Sequence, residues 1–182
     1  MNNSIGGIEL SSVAKGFEAA DAMLKTSKVE LIVSRTICAG KYLVLVAGDV
    51  ADVSSSVEAG AAKAGHSLAD EFVIANIHPD VFPAISGCVQ VEKLEALGIV
   101  ETFSVSSLIE AADAAAKAAS VKLLEIRLAM ALGGKAFVTF TGEVAAVEAA
   151  ASAAASVAGK RGLLVEKVVI PQPRQELLRE MI

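Results

Sequence analysis

The chain has no tryptophan, one tyrosine and six phenylalanines among 182 residues, so aromatic side chains make up only 4% of it. Without large rings, a core must be assembled from many small aliphatic contacts, each burying little area. Cysteine is scarce as well, with only Cys38 and Cys88, which is no disulfide framework. Basic residues are in deficit, 16 against 21 acidic ones, for a formal charge of -5. With no basic cluster to offset that balance, nucleic acid is not an expected partner. Long apolar runs are missing too. The stretch from Val29 to Val46 is interrupted by Glu30, Arg35 and Lys41, and the weakly hydrophobic run Ala145 to Ala158 contains Glu148. Neither reads as a membrane span, and the opening MNNSIGG lacks the regions of a signal peptide. A soluble, cytoplasmic chain is the expectation. His66 and His78 are too few and too scattered for a zinc site or a catalytic dyad. No nucleophile elbow, phosphate loop or dinucleotide fingerprint occurs, so an enzyme is not expected.

What the chain does have is apolar character, 54% of residues with a mean hydropathy of +0.58, much of it alanine. Such a composition suits surface hidden between subunits. It also has a repeat. Arg35 and Arg127, Glu9 and Glu101, Lys25 and Lys117, and EAAD at 18–21 and 110–113 all match at an offset of 92 residues. Past the loop after Arg35 the offset becomes 94, bringing Lys41 onto Lys135, Gly48 onto Gly142, Gly65 onto Gly159 and Pro79 onto Pro173. The chain therefore reads as two domains, 1–90 and 91–182.

Each copy reads as a strand near Gly7–Leu10, then a helix with Val13, Phe17, Ala20 and Leu24 on its apolar stripe. Val105, Ile109, Ala112 and Ala116 repeat that spacing in the second copy. Strands follow at Val29–Ile37 and Tyr42–Ala47, then a second helix capped by Asp49, then a strand near Phe72–Ile77. Strand, helix, strand, strand, helix, strand is the split βαβ, ferredoxin-like arrangement, an α+β fold occurring twice.

The segments EAADAMLK, VELIVSRTICAGKYLVLVAGDV, GIVET and EAADAAAKAASVKL, with ANIHP, PAISG and GLLVEKVVIPQP, resemble the bacterial microcompartment shell proteins. More narrowly, the chain is similar to the tandem-domain type whose trimer imitates a hexamer, and within it to the iron–sulfur-bearing type of propanediol-utilisation compartments. The resemblance implies a non-enzymatic tile: a homotrimer that meets neighbouring shell proteins edge to edge in the microcompartment shell. It implies that the loops Cys38-Ala39-Gly40-Lys41 and Leu132-Gly133-Gly134-Lys135 line a pore on the symmetry axis. It further implies that Cys38 is a metal ligand, since the related subunits carry a cysteine in the first pore loop. A proline follows that cysteine in them, where this chain has Ala39.

A 4Fe–4S cluster needs about four ligands, usually thiolates. One chain cannot supply them, but a residue beside a threefold axis appears three times. One cluster per trimer would serve electron transfer across the shell, or cluster exchange with enzymes inside, and would require a redox enzyme as partner in the lumen or cytosol. A bland reading of Cys38 as a small buried hydrophobe stands beside this one. Cys88, in the linker, reads as structural. Gly40, Gly133 and Gly134 read as turn residues that also keep a channel open. Lys41 and Lys135 read either as anion-attracting or as solvated. In the resemblance Lys25, Lys117 and Arg174 belong to the tile edge; a lysine at a helix C-terminus is also favourable for dipole reasons alone. Two alternatives remain: a shell tile with an open metabolite pore and no cluster, and a soluble ligand-binding sensor of paired ferredoxin-like units.

Overall fold

The computed structural model describes residues 3–87, 89 and 91–180. Cys88 lies outside the described residues. The chain divides into two compact units, Met1–Ile77 and His78–Ile182.

In the first unit β1 (Ser4–Leu10), α1 (Val13–Thr26), β2 (Glu30–Ile37), β3 (Lys41–Gly48), α2 (Val50–Ala64) and β4 (Leu68–Ala75) follow in order. The second unit opens with a short helix, α3 (Val81–Ser86), and then repeats the series. Its elements are β5 (Ala96–Thr102), α4 (Val105–Ala118), β6 (Lys122–Arg127), β7 (Ala136–Gly142), α5 (Val144–Lys160) and β8 (Leu164–Pro171). The sheets run β2-β3-β1-β4 and β6-β7-β5-β8, antiparallel throughout. This is the expected pair of ferredoxin-like units.

The central strands explain themselves. Every residue of β1 is buried, and Gly6 lets α2 lie close above it: a Cβ there would come within 2.6 Å of Val53. Ser12 and Ser104 cap α1 and α4 alike, accepting the N–H of Lys15 at 3.3 Å and of Ser107 at 3.2 Å. Asp49 does stand at the N-cap of α2, though only its backbone carbonyl takes part there, accepting from Val53.

Two sequence expectations are corrected. The packing face of α1 is Gly16, Ala19, Ala20 and Met23, whereas Val13, Phe17 and Leu24 are exposed. The reason is steric: the Tyr42 ring covers Gly16 so closely that a Cβ would sit 2.3 Å from it, and this pulls the helix down on its small-residue side. In α4 the expected stripe of Val105, Ile109, Ala112 and Ala116 is buried. The second correction concerns the repeat offset. Ala75 faces the first residue of β1 and Pro171 the first residue of β5, so the last strands match at 171 − 75 = 96, not 94. The longer α5 absorbs two residues and places Gly159 inside that helix, while Gly65 caps α2. The structural counterpart of His78 is therefore Arg174, and that of Val81 is Leu177.

Candidate pore loops and outer faces

The first loop is as short as a hairpin connection allows. Ile37 pairs with Lys41 across the β2–β3 ladder, leaving Cys38, Ala39 and Gly40 as the turn. Gly40 takes φ +75°, a left-handed conformation cheap only for glycine, and nothing lies within 4 Å of where its Cβ would be. Cys38 is a half-buried thiol at the lip of this turn, next to exposed Ala39 and Gly40.

The second loop is built differently. The β6–β7 ladder ends at Arg127 and Phe137, and residues 128–135 leave the sheet. Leu128 and Ala129 tuck inward and Met130 points out. Gly133 and Gly134 take φ values of +62° and +91°, and the N–H of Lys135 closes the turn on the Leu132 carbonyl at 3.1 Å. The duplicated hairpin thus keeps its strands while its two tips have diverged, one tight and thiol-bearing, the other open and glycine-rich.

Behind each tip stands the same ion pair. Lys41 Nζ lies 3.2 Å from Glu9 Oε2, and Lys135 Nζ lies 2.6 Å from Glu101 Oε1. Both lysines are therefore partly neutralised by the recurrent carboxylates, which the sequence reading had left without a partner. Glu9 is buried, with 1% of its side chain exposed, so the first pair is far better shielded from water than the second.

A metal site is a separate question. Among the described residues no three His, Cys, Asp or Glu side chains gather to hold an ion. Within one chain Cys38 is a single thiol donor, which does not fit a cluster.

On the helix ends Lys25 bonds Asp21 at 2.6 Å, with both side chains exposed, and Lys117 bonds Asp113 at 2.6 Å. Arg174 forms an exposed pair with Glu176 at 2.7 Å. The Glu176 carboxylate holds the Arg174 guanidinium above its usual range, and Arg174 draws the Glu176 carboxyl below its own. His78 opens the second unit, and its backbone N–H donates to Asp113 at 2.8 Å while its Nδ1 accepts the backbone N–H of Asp80 at 3.3 Å. His66 sits in a 3-10 turn, Gly65–Ser67.

Sequence reasoning missed α3, assigning no element to residues 81–86. Val81, Phe82 and Ile85 are the signal that was there. The helix packs on β6 and touches α4 with Val81 and Ala84 buried, and Lys122 reaches Asp80 at 3.1 Å. Elsewhere in the second unit, the sheet face away from the helices holds an open apolar depression of about 410 Å³ among Leu97, Ile99, Phe137 and Ile170. No described helix is long and apolar enough to cross a membrane.

The BMC domain model matches this chain twice, at residues 4–77 and 96–173. Over all 182 residues the chain is 47% identical to the bacterial microcompartment shell protein PduT of Citrobacter freundii, covering 99% of that protein. Over 84 residues it is 44% identical to the shell protein EutM of Salmonella typhimurium, covering 85% of EutM but 46% of this chain. A crystal structure of a microcompartment protein from Desulfitobacterium hafniense superposes with a TM-score of 0.92 at 53% identity, covering 97% of this chain and 98% of that one.

Proposed function

Because the chain belongs to the BMC-domain family of bacterial microcompartment shell proteins, we propose that it is a trimeric tile whose central pore carries a 4Fe–4S cluster held by Cys38 from three copies. Its place is the microcompartment shell, where it is a structural protein that assembles with other shell proteins.

The observation that carries the finer reading is the divergence of the two hairpin tips. Cys38 stands at the lip of a tight, exposed turn, where three copies around an axis would bring three thiolates together. They would satisfy three irons of a cubane cluster, leaving the fourth to water, a small molecule or another protein. Such a cluster, when bound, supplies one-electron transfer, or is itself handed on. Either use calls for a redox enzyme as partner on one side of the shell. On this reading Lys25 and Lys117, in the last turns of α1 and α4, serve the edge where tiles meet.

A second reading keeps the tile and makes the pore a metabolite conduit. It is favoured by the loop at 128–135, where nothing lies within 4 Å of a Cβ at Gly133.

Assembly tests the tile itself. Native mass spectrometry should give three copies, and electron microscopy at rising concentration should give sheets or tubes. A discrete oligomer that never forms them contradicts the tile and favours a paired-unit sensor.

A further inference from the structure

We draw no further inference here: the strongest candidate, the open apolar depression on the second unit's sheet, where the buried Thr139 hydroxyl lacks a hydrogen-bond partner beside Leu97, Ile99, Phe137 and Ile170, is an unpartnered face and nothing in the structure shows what covers it.

Discussion

The Asp113 carboxylate accepts the backbone N–H of His78 at 2.8 Å and holds the Lys117 ammonium at 2.6 Å. Its duplicate, Asp21, keeps the lysine, Lys25, at 2.6 Å but stands exposed on its helix. One carboxylate locks a chain segment against a helix and the other is a surface ion pair. The two aspartates share the motif EAADA with a lysine four residues on, and they differ in what is packed over them.

Asp113→Ala should therefore cost about 2 kcal/mol, because it strips a part-buried backbone N–H of a charged acceptor. Amide exchange at His78 and along α3 should accelerate accordingly. Asp21→Ala in dilute, unassembled chain should change stability by no more than about 0.5 kcal/mol, the scale of an exposed pair. Hydrogen exchange followed by mass spectrometry separates the two. Equal effects would contradict the packing described for α3.

Gly16→Ala should destabilise the first unit by about 1–3 kcal/mol, since the added methyl meets the buried Tyr42 side chain at its Cβ and ring. Tyr42→Phe should cost about 1 kcal/mol, by losing the 3.0 Å contact of its hydroxyl with Ser34. Urea unfolding followed by circular dichroism checks both. A stabilising Gly16→Ala, the usual outcome for glycine in an exposed helix, would contradict the close approach.

That glycine also marks where the sequence could be read and where it could not. The repeat, the strand order and both hairpins follow from patterns local to the chain, and the buried β1 and β3 carry the apolar runs that such patterns register. In α1 the large hydrophobic residues at helical spacing are Val13, Phe17 and Leu24, and they mark the exposed face. Burial went instead to small residues that could approach Tyr42. Hydrophobicity identifies a face that wants covering, and in α1 the structure gives that face no cover. The shift of the repeat from 94 to 96 lay in an alanine-rich helix, where two extra residues leave no trace in the pattern. At the candidate site the loops and lysines were legible as positions. Their carboxylate partners were not, because Glu9 meets Lys41 only through the pairing of β1 with β3.

The two loop lysines should respond unequally to removal. Lys41→Met leaves the Glu9 carboxylate, almost wholly buried, without its cation and should cost about 1–3 kcal/mol. Lys135→Met disturbs a pair whose side chains are 41% and 30% exposed, and should cost about 0.5 kcal/mol. Thermal melts of the two variants beside the wild type make the comparison. A larger loss at Lys135 would contradict the difference in burial.

The most direct measurement is iron and acid-labile sulfide per trimer in anaerobically purified protein, with visible and EPR spectra, beside Cys38→Ser. About four irons and four sulfides per trimer, absent from the variant while the trimer persists, is the predicted result for a cluster held by three thiolates. A trimer that takes up no iron even on anaerobic reconstitution would contradict the cluster and leave Cys38 a lining residue of an open pore.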